Sequence, residues 1–554
     1  MKRQFLIILL LVFQVVSLRG QVVFGEESGM YSTLLNDLKK NLYEKSRIKT
    51  VTLDGEERRM FISWVRDHIH TIKAYKYWED DLSSYNAFFM GRQTPKGMYF
   101  DYWMSYKDQN VGQLFFTNVF DNEFYFVDVN NQNFFFRMPI EADLEYLMVE
   151  GVYTSWQSSG DTAYLRKWLP VLVKGMKYEM TDPLRWSEEY LLVKRPYSID
   201  TWDFTSEPDS LTGVDRLLYH IGNTPETPKG IMHGDNSGMY QACKQLAELF
   251  RATGDLESAR EWELQGELFR HRLNTLCWNG NHYAHFVPIQ PVPAHIKTDP
   301  INALGLSNTY SMNRGAPTQE MSYSIIESYK KVWQEVKGES VAEWFGIYPF
   351  IEPHFGKYKV GEYMNGAILP LVGGELAKAA FQNGQEPYAV EILQRLNQIM
   401  DSNNRRLPGC VSQDGTEQTE AVPNEWGQAA FVSALVEGLA GVVDKNVQFR
   451  EVEISPRWYF AGVDKTSVDV GYGGDGNQVK YTYSFQRGSN MMKMTTSGSF
   501  EQYTLRVPVP AGKGYVSATV NGRRVNAEPD MVNGSPYMVI KGSGSKNQIE
   551  IRFR

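Results

Sequence analysis

Repeated turns between amphipathic helices constrain this sequence more than any other feature. Between residues 28 and 444 the apolar residues recur with helical spacing, and three turns look alike, at Gly160, Gly254 and Gly384. In each turn a Gly directly after an apolar-periodic segment ends one helix, and a polar residue begins the next. Helix hairpins repeated over about 400 residues predict a closed ring of helix pairs rather than a small bundle.

The helices of this region are joined by unequal loops. Two long loops, residues 195–230 and 289–315, are rich in Trp, Asp, Gly and Pro. Long loops on a rigid scaffold are where function tends to lie. The predicted helices are residues 141–156, 161–180, 237–250, 256–276, 319–336, 366–381, 387–400 and 426–442.

The pattern changes after residue 447. Residues 478–486, 503–509, 515–520 and 548–554 alternate in polarity or are rich in β-branched residues, and Gly, Asn and Ser separate them. This spacing predicts a small antiparallel β-sandwich domain at 447–554, following a helical domain at 21–446.

The first twenty residues have the pattern of a secretory signal peptide. Lys2 and Arg3 precede an apolar run at 5–13, which is too short to span a bilayer. We expect cleavage after Gly20 and a mature protein in the periplasm or outside the cell. No later apolar stretch is long enough to be a membrane span.

Charge and motif content exclude several functional classes. The formal net charge of −8 disfavours nucleic-acid binding, which needs a basic surface. No Gly-x-Ser-x-Gly motif or phosphate-binding loop is present. The spacing of Cys243, Cys277 and Cys410 fits no zinc motif, and His68 and His70 would lie on different helix faces. We expect neither a metal site nor a cofactor.

Carboxylates among aromatic residues are the best candidates for chemistry. Asp203 lies between Trp202 and Phe204 in the first long loop. Desolvation by these rings could raise the pKa of Asp203 and keep it protonated, as a general acid requires. An Asp that caps the following helix would give the same pattern.

Further carboxylates precede the last predicted helix. Asp414, Glu417, Glu420 and Glu425 come before or at the helix that begins near Trp426. One of them could activate a water molecule, but acidic residues are also common in the solvated first turn of a helix.

Two other segments combine polar residues at the start of a helix. Glu362, Tyr363 and Asn365 form a compact polar entry into a buried helix. Arg66 and Asp67 stand together at an earlier helix start, which suits either sugar-hydroxyl binding or a structural ion pair.

These residues resemble motifs of the trehalase and processing-glucosidase families of six-hairpin glycosidases. The tail from residue 449 is similar to the C-terminal sandwich of related rhamnosidases and disaccharide phosphorylases. The resemblance covers about residues 64–458. It rests on Thr-Trp-Asp-Phe-Thr at 201–205, Gly-Asp-Asn-Ser-Gly at 234–238, Ala-Arg-Glu-Trp at 259–262, Leu-Cys-Trp at 276–278 with Tyr283, Tyr-Met-Asn-Gly at 363–366, and Trp-Gly-Gln-Ala-Ala-Phe at 426–431.

The resemblance implies a mainly α fold, an (α/α)6 toroid of six hairpins followed by the small antiparallel β-sandwich. It also implies a glycoside hydrolase that acts on a carbohydrate with inversion, with Asp203 as the acid. The chain lacks those families' N-terminal β domain and the Gly-rich Glu-Tyr segment before the last helix, so the base stays open. Glu417 fits the trehalase spacing best, Glu420 is next, and Glu362 is a third possibility. The implied sugar-binding residues are Arg66, Asp67, Trp202, Asp235, Asn236, Tyr363, Asn365 and Trp426.

Three other functions fit the same scaffold. A polysaccharide lyase would use Tyr197, Tyr363, His233 or His354 as base and Asn365 to neutralise a uronate. A disaccharide phosphorylase would need inorganic phosphate. A glycan-binding protein would keep the cleft without turnover.

Overall fold

The computed structural model describes residues 21–26, 29–44, 48–61, 63–106, 123–200, 204–222, 224, 227–418, 425–474 and 477–554. The predicted signal peptide and three candidate site residues, Trp202, Asp203 and Glu420, lie outside these ranges. No helix of the described residues is both long enough and apolar enough to cross a membrane.

Helices dominate the chain up to residue 439. The helices are α1 (Met30–Glu44), α2 (Val65–Tyr75), α3 (Ser83–Met90), α4 (Leu144–Ser159), α5 (Thr162–Glu179), α6 (Gly213–His220), α7 (His233–Thr253), α8 (Leu256–Leu276), α9 (Ser307–Asn313), α10 (Gln319–Val336), α11 (Pro370–Gln382), α12 (Glu386–Ser402) and α13 (Glu425–Ser433). A π-helical turn, Ala434–Leu439, extends α13.

Six of these helices contact one another in a closed order. α2 contacts α4, α4 contacts α7, α7 contacts α9, α9 contacts α11, α11 contacts α13, and α13 contacts α2. α2, α11 and α13 are buried on nearly every side, whereas α8 and α10 bury only one face. An all-round buried helix needs neighbours on all sides, and the helices paired with the ring supply them.

Two of the predicted turns, at Gly160 and Gly254, are confirmed by the residues that cap their helices. Gly160 and Gly254 end α4 and α7 with φ of 71° and 88°, a left-handed conformation that Gly adopts without steric cost. Asp161 and Asp255 then begin the next helices, each accepting a hydrogen bond from a backbone N–H three residues on, at 3.0 Å. The bounds 256–276 and 319–336 agree with prediction.

Two ring contacts depend on the absence of a side chain. A Cβ at Gly238 of α7 would collide with the Tyr146 ring of α4, and a Cβ at Gly374 of α11 would collide with Ala430 of α13. These glycines let neighbouring ring helices approach closely.

The region before residue 440 is less uniformly helical than its pattern predicts. Short strands interrupt the loops, and among the described residues they form six small sheets, two of three strands and four of two strands. The strands are β1 (Val22–Phe24), β2 (Lys49–Leu53), β3 (Glu56–Met60), β4 (Tyr102–Ser105), β5 (Tyr125–Asp128), β6 (Asn133–Phe136), β7 (Trp186–Ser187), β8 (Leu192–Val193), β9 (Arg195–Pro196), β10 (Lys229–Met232), β11 (Phe286–Pro288), β12 (Leu304–Gly305), β13 (Ile347–Tyr348), β14 (His354–Phe355) and β15 (Tyr358–Lys359).

Two larger sheets form the C-terminal region. A seven-stranded sheet has the order β1-β18-β19-β20-β26-β22-β23, and a five-stranded sheet has the order β16-β17-β21-β25-β24. Most pairs are antiparallel, but β17 and β21 are parallel. The strands are β16 (Val442–Asp444), β17 (Glu451–Ile454), β18 (Lys465–Gly471), β19 (Gln478–Gln486), β20 (Met491–Gly498), β21 (Gln502–Pro508), β22 (Tyr515–Val520), β23 (Arg523–Val525), β24 (Glu528–Val532), β25 (Ser535–Ser543) and β26 (Asn547–Phe553).

The C-terminal sheets recruit residues from outside 447–554. Val442 begins β16, so the last predicted helix, 426–442, stops short of its expected end. At the other end of the sequence, β1 pairs with β18, and Val22 lies opposite Val470. The N-terminal segment is therefore a structural part of the C-terminal sheet.

We predict that β1 is held by Phe24. Its ring packs edge-to-face on Trp458 at 5.4 Å between centroids, and only 4% of the residue is exposed. Phe24→Ala should lower the free energy of unfolding by about 3–5 kcal/mol, measured by denaturant titration. Val23→Ala is the matched control, because Val23 is 45% exposed. Equal effects of the two variants would contradict the assignment.

Candidate functional site

Buried polar and charged residues lie at the N-terminal ends of the ring helices. Arg66 and Asp67 lie in the first turn of α2, Asp143 precedes α4, and Asp235 and Asn236 lie in the first turn of α7. All five are buried. Carboxylates are stabilised there because the unpaired N–H groups carry partial positive charge.

Arg66 is the centre of this cluster. Its Nε and Nη2 donate to the two oxygens of Asp143 at 2.6 and 2.8 Å, and its Nη1 donates to Asp101 Oδ2 at 2.8 Å. Glu141 is a third carboxylate, 3.4 Å from Nη2. Of the two roles that the sequence allows for Arg66, the structure shows the ion pair.

Three carboxylates around one guanidinium cannot all be charged cheaply. Burial raises the pKa of Glu141 well above its ordinary value, and the neighbouring Asp101 raises it further. Burial also acts on Asp143, but Arg66 outweighs it and lowers the pKa of that carboxyl. The cluster thus keeps a proton on Glu141 and a charge on Asp143.

Asp235 differs from these paired carboxylates. Neither of its oxygens accepts a hydrogen bond, and the nearest cation is Arg195 Nη1 at 3.7 Å. Burial raises the pKa of Asp235 from its ordinary 3.8 to about 7, although Arg195 opposes the rise. A buried carboxyl with both oxygens unused is able to bind a ligand hydroxyl or to exchange a proton near neutral pH.

Two of the expected binding amides are occupied by backbone. Asn236 accepts from the Val193 N–H at 2.8 Å and donates to the Val193 carbonyl at 2.9 Å. Asn365 clamps Ile351 in the same way, with both distances at 2.8 Å. Both side chains therefore fix loops at the site and have little capacity left for a sugar.

A second group of candidates meets in one pocket. Glu362, Tyr363 and Glu417 line a cavity of about 540 Å³, together with Lys357, Tyr358, Ser412 and Gln418. Gln418 joins the two segments, since its Oε1 accepts from the Tyr363 N–H at 3.1 Å and its Nε2 donates to the Gly361 carbonyl at 2.7 Å. Both glutamates are exposed to solvent. Two of the three candidate bases thus share one pocket.

Trp426 is buried rather than open to solvent. It lies in the first turn of α13, and its ring packs on His70 with centroids 4.5 Å apart. Burial lowers the pKa of His70 well below its ordinary value, so this imidazole is neutral at pH 7. Trp426 therefore forms part of the ring interior.

The sequence did not single out Asp101, Glu141, Asp143 or Arg195. Asp101 follows Phe100 and precedes Tyr102, which is the same aromatic setting that drew attention to Asp203. Asp143 directly precedes α4, where a helix start invites a carboxylate. Among the described residues, no group of three or more His, Cys, Asp or Glu side chains could hold a metal ion.

No protein-family profile and no curated protein matches the chain. Solved structures do. The GH78 family rhamnosidase of Bacillus sp. GL1 aligns with a TM-score of 0.57 and 11% identity, over 89% of this chain and 43% of that one. The α-L-rhamnosidase of Dictyoglumus thermophilum gives 0.57 and 9%, over 96% and 50%. The α-L-rhamnosidase of Aspergillus terreus gives 0.51 and 10%, over 95% and 50%.

The chain shares its fold with α-L-rhamnosidases. It spans half the length, or less, of these three proteins. The resemblance to glycosidases of the rhamnosidase type is thus confirmed for the fold. At this identity the likeness shows the fold alone.

We predict that the Arg66 cluster is a major source of stability. Arg66→Gln would remove the guanidinium that binds the buried side chains of Asp101 and Asp143 and should cost about 3–5 kcal/mol of unfolding free energy. Arg487→Gln is the control, because its pair with Asp464 is exposed and worth about 0–1 kcal/mol. Similar losses in the two denaturant titrations would contradict a central role for Arg66.

We predict that Asp235 makes stability depend on pH. Because its folded pKa lies above its ordinary value, folding takes up a proton, and this contribution to stability falls as pH rises from about 4 to about 7. The full change is on the order of 4 kcal/mol. Asp235→Asn should remove this pH dependence, so the variant should become more stable relative to the parent as pH rises from 5 to 8.

The measurement is the free energy of unfolding as a function of pH for both proteins. Glu261→Gln, an exposed change on α8, should give a curve parallel to that of the parent. A constant offset between Asp235→Asn and the parent at all pH values would show that Asp235 does not titrate in this range.

Proposed function

We propose that the protein is an exported glycoside hydrolase built on an (α/α)6 toroid with a C-terminal β-sandwich. The closed order of contacts among six helices supports the toroid, and the shared fold with α-L-rhamnosidases supports the enzyme class. The apolar run at 5–13 and the basic residues before it support export.

The pocket of Glu362 and Glu417 is the observation that carries the proposal. An inverting glycosidase needs one carboxylic acid for the leaving group and one carboxylate that activates water on the other side of the sugar. A solvent-open pocket with two carboxylates supplies candidates for the second role. Glu417 remains our first candidate for the base. Glu420 and Glu362 are the alternatives, and Glu362 lines the same pocket as Glu417.

The acid role remains proposed for Asp203. The chain directly after it is tied to the same pocket, because Ser206 Oγ accepts from the Gly356 N–H at 3.0 Å and Gly356 adjoins Lys357 of the pocket wall. The Phe204 ring stacks on the His220 ring of α6, with the two centroids 4.4 Å apart. The residues that directly follow Asp203 in the sequence are therefore held at this pocket, which supports the proposed acid role.

The substrate proposed here is a terminal sugar of an oligo- or polysaccharide. Asp235, with two unused oxygens and a pKa near 7, would bind a hydroxyl of that sugar. Tyr363 and Asp67 stay as further contacts, and Trp202 as a stacking face. Because the neighbouring structures are rhamnosidases, a terminal α-L-rhamnoside is the first substrate to try.

The structure offers less to a polysaccharide lyase. The Asn365 amide that would neutralise a uronate is bound to Ile351, and His233 Nδ1 is 2.9 Å from the Ala284 carbonyl. Burial lowers the pKa of His233 to about 3, which makes it a weak base. Hydrolysis needs none of these groups.

The test is turnover of aryl glycosides and natural disaccharides by the purified protein and by Asp203→Asn. Loss of the acid should slow a natural glycoside about 10²–10⁴-fold. An aryl glycoside with an acidic phenol should be affected much less, since that leaving group needs little protonation. Glu207→Gln is the control, because Glu207 is held by Arg216 at 2.7 Å and His220 at 2.9 Å.

The same assay tests the base. One of Glu417→Gln, Glu420→Gln and Glu362→Gln should abolish turnover and allow partial rescue by azide, which replaces the activated water. Equal slowing of both substrate types by Asp203→Asn would show that the acid lies elsewhere. A product with ultraviolet absorption from an unsaturated sugar, or turnover only with phosphate, would contradict hydrolysis.

A further inference from the structure

A second polar cavity lies toward the C-terminal end of α2, away from the Arg66 cluster in the first turn of that helix. Its wall includes His70 of α2 and Lys76, which directly follows α2 and lies ten residues beyond Arg66, or about 15 Å at 1.5 Å per residue. Asp444 and Tyr472 of the C-terminal region close one side. The cavity is thus displaced from the helix N-termini where the candidate site lies.

The charged groups of this cavity compensate one another. Lys73 Nζ is 2.6 Å from Glu375, and Lys378 and Lys76 bind Glu437 at 2.5 and 2.8 Å. Arg314, Glu150 and Asp444 add one positive and two negative charges to the wall, so its four cations face four carboxylates. A wall without net charge has no preference for a free anion or a free cation.

Several polar atoms of the wall have no partner. The Oε1 of Gln245, the Nδ1 of His70 and the Oδ1 of Asn313 make no hydrogen bond, and the first two residues are at least nine-tenths buried. Buried polar atoms are normally satisfied by protein, water or a ligand, so three unpaired atoms on residues of one cavity wall point to a hydrogen-bonding molecule in that cavity. Burial lowers the pKa of His70, which leaves it neutral and able to accept.

The size of the cavity narrows the choice of molecule. Its volume is about 150 Å³. A single water needs about 10–15 Å³, and drug-sized ligands occupy about 300–1,000 Å³. Tyr153 and Gln157 line the cavity and are partly exposed, which gives small molecules an entrance.

We propose that this second polar cavity is a binding site for one neutral, hydroxyl-rich molecule of polyol or monosaccharide size. Hydroxyl groups donate to Gln245 and Asn313 and accept from lysine and arginine, so a polyol satisfies both kinds of wall group without disturbing the charge balance. The site does not depend on the proposed hydrolase function, since it requires binding alone.

The test is calorimetric titration with glycerol, L-rhamnose, D-glucose and D-mannose. At least one should bind saturably to the parent protein. Gln245→Leu should weaken that binding about tenfold, the effect of one net hydrogen bond, and should not lower the melting temperature, because it removes an unpaired buried acceptor. Gln265→Leu on α8, outside the cavity, should bind like the parent.

Two further variants make the result decisive. Gln241→Leu also changes the cavity wall, on a partly exposed residue, and should weaken binding as well if Gln245→Leu folds poorly. Glu417→Gln changes the other pocket and should leave this binding intact. Absence of saturable binding, or binding lost in Glu417→Gln but unchanged in Gln245→Leu, would overturn the proposal. Inactivity on every glycoside would bear only on the proposed function.

Discussion

The ion pairs of Arg66 join parts of the chain that are far apart in sequence. Asp101 comes from the segment before β4, and Glu141 and Asp143 come from the approach to α4. The guanidinium therefore fixes α2, α4 and an intervening segment at the end of the ring where the candidate site lies. A planar group with five donors is able to do this, whereas a lysine could not reach two carboxylates in fixed geometry. Substrate binding at the candidate site would therefore depend on the positions that the Arg66 ion pairs give to α2 and α4.

Hairpins were predictable from the sequence because their signals are local. The Gly that ends α4 or α7 and the Asp that begins the next helix are neighbours in the chain, so the pattern carries the structure. The short strands among the loops were not predictable. β12 and β13 have two residues each, and pairing between distant segments, Leu304 opposite Tyr348, creates them rather than composition. The start of α11 at Pro370 instead of 366 has a local cause, because Gly366 has a φ of 111° and Pro370 suits a first helical position.

Candidate residues were found from the sequence by type, but their roles depend on partners. Arg66, Asp235 and Asn236 all lie at the ring end, as expected of site residues, but their roles differ. Arg66 is the centre of several ion pairs, Asp235 accepts no hydrogen bond, and Asn236 binds the backbone of Val193. Asp101 shows the limit most clearly. It has the aromatic neighbours that suggested an acid at Asp203, and the structure gives it to Arg66. An aromatic setting predicts burial of a carboxylate, whereas its protonation depends on whether a cation arrives from elsewhere in the chain.

The pairing of β1 with β18 sets the order in which the molecule can be completed during synthesis. Val22 leaves the ribosome long before Val470, its partner in the sheet. At about 5–20 residues per second, the 448 residues from 23 to 470 take roughly 20–90 s to translate. For that time β1 has no strand to pair with, because the other six strands of its sheet all begin at or after Lys465. The N-terminal strand therefore pairs only when about the last sixth of the chain has been made. A chain truncated before β18 would leave β1 without its partner strand.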